Sequence, residues 1–199
     1  MMVLALDTAL DACAIALIRD SETLAHQSEK MQRGQAERLA PMAQEVMRSA
    51  NAAFVEIDRV AVTAGPGSFT GVRVGLSFAR ALALALAKPC IGISTLEALA
   101  LEEGESGVRA ALIETPGAAY LALYEDGAAL IAPRAIEHGS HAALIASAAA
   151  GRAYTMSGPG AAPNVEALAR RAVRLDPARY VPDPLYLRAP HVTLPGGAR

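Results

Sequence analysis

Three places in the chain combine residue types that could do chemistry. The first is the run Ala64-Gly65-Pro66-Gly67-Ser68-Phe69-Thr70-Gly71-Val72-Arg73-Val74-Gly75. A glycine turn running into a helix start can hold an anion, because the first helical N–H groups lack internal partners. The run is not a Walker loop, since no Lys follows the glycines. Gly65, Gly67 and Gly71 also miss the dinucleotide spacing G-x-G-x-x-G by one residue. Ser68 sits ahead of a helix like a nucleophile on an elbow, but the string is not G-x-S-x-G, and no His or acid is assignable to orient it. No catalytic residue is therefore predicted. The second place is Asp7-Thr8, after the apolar run Val3 to Leu6, where an Asx-type turn between two strands is the plain reading. The third is the set of histidines. His26 lies in a strand pattern, His191 in the tail, and His138 and His141 flank a helix start. No third ligand accompanies that pair, so no metal site is predicted.

These residues need elements to position them. Val3 to Leu6, Ala12 to Ile18 and Thr23 to Ser28 read as three strands joined by short turns, an antiparallel meander. A helix is predicted over about Gln35 to Ala50, with Leu39, Ala43, Val46 and Met47 on its apolar stripe. Pro41 inside that pattern should kink the helix or mark its first turn. A strand at Val60 to Ala64 leads into the glycine loop. A long helix follows over Thr70 to Ala87, then a strand at Cys90 to Ile93 and a short helix at Thr95 to Leu101. A strand, a glycine-proline turn and a helix in this order indicate an α/β unit with its loop at the carboxyl edge of the sheet.

The polar stretch Glu102 to Gly107 reads as a linker. After it come predicted strands at Val108 to Ile113, Tyr120 to Tyr124 and Ala128 to Ile131. A helix at His141 to Ala149 and a strand at Ala153 to Met156 follow. Then comes a second Gly-Pro-Gly turn, Gly158-Pro159-Gly160, and a helix over about Asn164 to Val173. The shared order favours a duplicated α/β lobe, divided into residues 1–103 and a smaller lobe, 104–199. The tail is expected to fray beyond Leu194.

The 199 residues suffice for one large or two small cores, and 53% of them are hydrophobic but only 4% aromatic. Ala, Leu and Val must therefore fill the interior. A net charge of −2 carries no sign of a nucleic-acid-binding stripe. Cys13 and Cys90 lie in apolar runs and read as buried free thiols, which fits a reducing compartment. The first residues lack a basic segment and meet Asp7 too early for a signal peptide. Ala81 to Ala87 is closed by Arg80 and Lys88, too short to cross a bilayer. A soluble, cytoplasmic protein is expected.

The helix over Thr70 to Ala87 is apolar nearly all round. Val72, Leu76, Ala79, Ala83 and Leu86 form one stripe; Val74, Phe78, Ala81 and Ala85 form another. Arg73, Ser77 and Arg80 make the polar strip. Such a helix must be covered on more than one side, by its own sheet and then by either the second lobe or a protein partner. Arg73 and Arg80 could make rim contacts with carboxylates or cap groups inside the lobe.

Leu4-Ala5-Leu6-Asp7-Thr8-Ala9, Glu37-Arg38-Leu39-Ala40-Pro41, Gly65 to Gly75, Ile91-Gly92-Ile93-Ser94-Thr95-Leu96 and Pro184-Leu185-Tyr186-Leu187-Arg188 together resemble the TsaB family. The strings come in that family's order and cover the first half and the C-terminal peptide. The resemblance implies an actin-like, Hsp70-like and sugar-kinase-like ATPase fold, α/β, with two tandem ribonuclease-H-like lobes built on mixed sheets. It implies a non-catalytic role in attaching threonylcarbamoyl to adenosine in tRNA. The implied partners are a catalytic TsaD-like subunit, a TsaE-like ATPase, and tRNA through the complex. A homodimer is expected when the chain is alone.

No cofactor of its own is implied; ATP and a metal ion belong to the partner subunits. Catalytic relatives carry a His-x-x-x-His pair where this chain has Thr95 and Leu99, and neither side chain replaces an imidazole as a ligand. Asp7 and Thr8 occupy the turn that cradles phosphate in nucleotide-binding members of the fold. With Gly65, Gly67 and Ser68 they are the candidate cofactor residues, against the plain reading as tight turns. The resemblance also favours the partner as the second cover of the long helix. The candidate interface is Leu39, Ala43, Val46, Met47, Arg73, Ser77, Arg80 and Ala83. The alternative function is a stand-alone ATP-dependent kinase, carbamoyltransferase or peptidase of the same fold. The chain departs from the family at Gln35-Ala36, where many members have His-Ser, and at Glu114 to Tyr120, where many have an Asp-Ala-Arg-like string.

Overall fold

The computed structural model describes residues 1–101 and 107–187. β1 (Met2–Asp7), β2 (Ala12–Arg19) and β3 (Glu22–Lys30) form the expected antiparallel meander. β4 (Arg59–Thr63) and β5 (Cys90–Ile93) extend it in parallel from the other side of β1, giving the order β3-β2-β1-β4-β5. β1 is buried along its whole length and β2 along all but Arg19, as strands covered on both faces must be.

α1 (Gln35–Ser49) and α2 (Phe69–Leu86) cover one face of this sheet. Leu39, Met42, Ala43, Val46 and Met47 of α1 and Val72, Leu76, Ala79 and Ala83 of α2 enter one core with Leu4, Leu6, Ile15, Leu17 and Val62. Pro41 neither starts nor stops α1, which begins six residues earlier and runs through it. The proline lies on the exposed side, where water can serve the carbonyl that loses its partner. Arg38 fastens α1 to the sheet, donating to Glu29 on β3 and to Glu45 one helical face along.

The opposite face is covered from the far end of the chain. α5 (Val165–Val173) places Leu168, Ala169 and Ala172 against Val3, Ala5, Ala61, Ile91 and Ile93. Arg59, at the start of β4, donates to the Ala172, Val173 and Leu175 carbonyls and so caps the end of α5.

α3 (Thr95–Ala100) leads towards the second sheet. There β6 (Val108–Thr115), β7 (Ala118–Glu125), β8 (Ala128–Ile136) and β9 (Tyr154–Ser157) follow the order β8-β7-β6-β9, with β9 parallel to β6. α3 packs on one face, against Ala111, Ile113, Ala122 and Tyr124. α4 (His141–Ala149) packs on the other, against Val108, Ala110, Leu121 and Leu123. Of the expected boundary over Glu102 to Gly107, residues 102–106 lie outside the described residues, as does the tail beyond Leu194 where fraying is expected. Cys13 is fully buried, whereas Cys90 is only half-buried; both are free.

Candidate functional site

β1 ends at the point where the sheet changes from antiparallel to parallel neighbours, the usual place for a ligand in an α/β sheet. Asp7 sits there with no exposed surface. Its Oδ1 accepts from the Ala9 N–H (3.1 Å) and from the Thr63 hydroxyl (2.6 Å), while Oδ2 has no partner among the described residues. Burial pushes the carboxyl up to about 6, against the pull of those two donors. The buried Thr8 hydroxyl donates to the Gly71 carbonyl at 2.7 Å.

The glycine loop lies directly on this turn. The Ser68 N–H donates to the Ala9 carbonyl at 2.7 Å. A side chain at Gly67 would overlap the Ala9 carbonyl, and one at Gly71 the Thr8 carbonyl. These glycines exist for close backbone approach. Ser68 caps α2, its Oγ accepting from the Gly71 N–H at 3.3 Å. Gly65, joined to Pro66 by a cis peptide, exchanges two hydrogen bonds with Thr95.

The Thr8 and Thr63 hydroxyls and the Ser68 and Gly71 N–H groups are thus bonded to protein, and Asp7 Oδ2 alone of this set is left without a partner among the described residues. Of the five candidate residues, Asp7, Thr8 and Gly65 are buried. Gly67 and Ser68 border a cleft of about 370 Å³ between the two sheets, which Asp11, Lys30, Glu114 and the second Gly-Pro-Gly turn also line. Thr95 and Leu99 are buried. Among the described residues no three His, Cys, Asp or Glu side chains gather around a point where a metal could bind.

A second feature lies on the outer side of α1 and α2. A groove of about 460 Å³ runs between them, lined by Ala36, Leu39, Phe69, Arg73, Val74 and Phe78 among others. Phe69 is 61% exposed and Leu84 83%. By length and composition α2 is apolar enough to cross a membrane, but its inner stripe is packed into the core.

The structure corrects the expected interface here. Leu39, Ala43, Val46, Met47 and Ala83 are all core residues, 1–3% exposed, so they are not offered to a partner. Arg73, Ser77 and Arg80 are on the outside. Gly71 and Gly75 let α2 approach the β1 turn on one side only, which turns Val72, Leu76, Ala79 and Ala83 inward, leaves Val74 and Phe78 half-buried at the edge of the core, and leaves Ala81 and Leu84 exposed.

Comparison with known proteins bears on both features. Residues 21–127, over half of the chain, match the family model described as TsaD: tRNA N6-adenosine threonylcarbamoyltransferase. The TsaB protein of tRNA threonylcarbamoyladenosine biosynthesis from Escherichia coli K12 is 39% identical over 129 residues, covering 63% of this chain and 55% of that protein. The solved structure of YeaZ from Pseudomonas aeruginosa superposes with a TM-score of 0.72 at 25% identity, covering 94% of this chain and 99% of that one.

The chain belongs to the TsaB family.

Its two mixed sheets have the actin-like, sugar-kinase-like architecture. The chain spans about half the length of the curated relatives it matches. A tRNA N6-adenosine threonylcarbamoyltransferase from Erythrobacter litoralis is also similar, 38% identical over 116 residues, which cover 50% of this chain and 34% of that enzyme. At least half of this TsaB-family chain is thus similar to proteins of each name.

Where the chain departs from other TsaB members, the replacements are locally satisfied. The buried Gln35 amide donates to the Met31 carbonyl at 3.1 Å. Thr115 closes the β6–β7 hairpin by donating to the Ala118 carbonyl at 3.0 Å. Sequence reasoning missed Phe69, Leu84 and Tyr186 as surface features. The available signal for the first two was their place beside the polar strip Arg73, Ser77 and Arg80 at helical spacing.

Proposed function

We propose that this chain is the non-catalytic subunit of a complex that attaches threonylcarbamoyl to adenosine in tRNA. It docks on a TsaD-like catalytic subunit through the outer face of α1 and α2. The single observation that carries this reading is α2 itself: an 18-residue helix with one face in the core that leaves Phe69 and Leu84 exposed on its outer side, beside the groove bordered by the half-buried Val74 and Phe78. Large apolar side chains left exposed beside an apolar groove are the mark of a docking surface. The bonds that the Thr8 hydroxyl and the Ser68 and Gly71 N–H groups make to protein support a subunit with no cofactor of its own. ATP and metal are then supplied by the TsaD-like subunit and a TsaE-like ATPase, and tRNA is met through the complex in the cytoplasm. Alone, the chain pairs with itself through the same face.

The test uses two adjacent residues of α2. The purified TsaD-like subunit of the same organism is tagged and used to capture this chain. Leu84→Glu should abolish capture with unchanged circular dichroism, because a carboxylate buried without a partner costs several kcal/mol. Ala83→Glu should unfold the chain. Capture of Leu84→Glu at the wild-type level removes the docking face. Magnesium-dependent ATP turnover by the isolated chain would restore the stand-alone enzyme.

A further inference from the structure

The C-terminal segment crosses the molecule in a way that the scaffold reading alone does not require. Tyr180 packs into the back core, and its carbonyl accepts from the Gly92 N–H of β5 at 2.9 Å. The chain then passes so close to β5 that a side chain at Gly92 would meet the Val181 carbonyl oxygen at 2.6 Å and the Pro182 Cα at 2.8 Å. Asp183 pairs with Arg80 of α2 at 3.5 Å. The Leu185 N–H donates to the Ala64 carbonyl at 2.7 Å. Leu187 ends the described path against the core around Leu96 and Leu99. Two backbone bonds, two half-buried ends and two prolines hold Tyr180–Leu187 as a strap over the carboxyl ends of β5 and β4.

The strap delivers one side chain to the docking face. Tyr186 stacks on Phe69, with ring centroids 6.3 Å apart and planes at 29°. Phe69 in turn carries Arg73, whose guanidinium carbon lies 4.6 Å from the ring centroid. Tyr186 and Phe69 remain 55% and 61% exposed, so the stack is a surface feature rather than core.

Arg73 has no carboxylate partner among the described residues, and α2 has no acid in its first turn. A cation near the positive end of a helix is placed against the helix dipole. The site therefore holds a surplus of positive charge on the rim of the groove between α1 and α2. The other arginine on this side of α2, Arg80, is already paired with Asp183. A nucleic-acid backbone needs several free cations to be held, whereas a single flat guanidinium beside an apolar groove fits one carboxylate on a partner helix.

We infer that the strap completes the docking face, with Tyr186 and Phe69 orienting Arg73 to take a carboxylate from an apolar helix of the partner. This rests on the docking reading above. Arg73 is the contact residue and Tyr186 a positioning residue.

The experiment is a calorimetric titration of this chain with the purified TsaD-like subunit. Arg73→Ala should weaken binding about tenfold and Tyr186→Ala about fivefold, with unchanged thermal melting. The double variant should lose far less than the product of the two, because Tyr186 acts through Arg73. Tyr186→Phe should restore wild-type affinity, and the Arg73 effect should shrink at about 0.5 M salt. Leu84→Glu serves as the control on the docking face. If it abolishes binding while Arg73→Ala and Tyr186→Ala bind as the wild type does, the strap inference is overturned and the docking face stands. If Leu84→Glu also binds normally, both fall. If Arg73→Ala leaves subunit affinity intact but lowers retention of tRNA by the complex, Arg73 is a nucleic-acid contact and the inference is overturned.

Discussion

Each half of the chain places a Gly-Pro-Gly turn and a helix after a parallel strand, and the two turns are used in opposite ways. Gly65-Pro66-Gly67 is pressed against the β1–β2 turn, with the Ala9 carbonyl where a Gly67 side chain would be. Its helix, α2, stays on its own sheet, and a fifth strand follows. Gly158-Pro159-Gly160 borders the open cleft. A side chain at Gly158 would meet only the Met156 methyl at 3.8 Å, and one at Gly160 nothing. Its helix, α5, is half as long, leaves its sheet and packs on the back of the first. Among the described residues no strand follows β9 in the second sheet. The same short string is a lock in one half and a rim in the other. What decides is the element opposite, and the first sheet has both faces covered only because the second half supplies a helix.

The strongest way to break this comparison is at α5. Leu168 has no exposed surface and sits under the first sheet. Leu168→Asp should cost about 4 kcal/mol or more and unfold both halves in one transition, seen as coincident loss of far-UV dichroism and protease resistance. Separate melting of the two halves would show that the second does not support the first.

The two turns can be compared directly. Gly67→Ala should destabilise by roughly 2–4 kcal/mol, because the backbone of the β1–β2 turn must move. Gly158→Ala should stay within about 0.5 kcal/mol of the wild type. Urea unfolding of the two variants measures the difference, and equal effects would mean that the first turn is not locked.

Asp7 sharpens the same contrast through pH. Its folded pKa is raised from an ordinary 3.8 to about 6 by burial. Between those values the folded chain holds a proton that the unfolded chain has released. Stability contributed by this group is therefore present at acid pH and lost as pH rises through about 6. The loss is roughly 2–3 kcal/mol at one pKa unit per 1.36 kcal/mol. Asp7→Asn should flatten this part of the profile between pH 4 and 7. Glu29 and Glu45, held low by Arg38, and Asp58, held low by the Met2 N–H, keep their opposite slope at lower pH in both proteins. Identical pH profiles for wild type and variant would place the Asp7 carboxyl in water.

The smallest effect concerns Arg59. Removing the side chain that caps α5 should cost about 1–2 kcal/mol, read as a lower urea midpoint with unchanged slope.

Much of this architecture was legible. Apolar runs, helical stripes, the meander turns and the two Gly-Pro-Gly strings located nearly every element, since periodicity and turn chemistry are local. On α2 the expected interface residues Arg73, Ser77 and Arg80 do lie outside, and only Ala83 falls in the core, because both apolar stripes of the helix look alike in sequence. The choice between them depends on Gly71 and Gly75 meeting Thr8, a contact between residues more than sixty positions apart. Likewise, the burial of Leu39, Ala43, Val46 and Met47 follows from the helix stripe itself, but whether a sheet or a partner covers such a stripe is not written in its period. The phosphate cradle looked available because Asp7, Thr8 and the glycines are the right residue types. Only their mutual packing shows that they serve one another. The destination of α5 and the stacking of Tyr186 on Phe69 are tertiary facts with no local signature.

The reliance of the first sheet on α5 has a consequence for biosynthesis. Val3, Ala5, Ala61, Ile91 and Ile93 have emerged from the ribosome long before Leu168 exists to cover them. At about 5–20 residues per second, the remaining stretch takes roughly 4–16 seconds to make. Throughout that interval the nascent chain carries an uncovered apolar sheet face. The chain is therefore a natural client for a ribosome-associated holdase, and slow codons between the two halves would lengthen its exposure rather than help it fold.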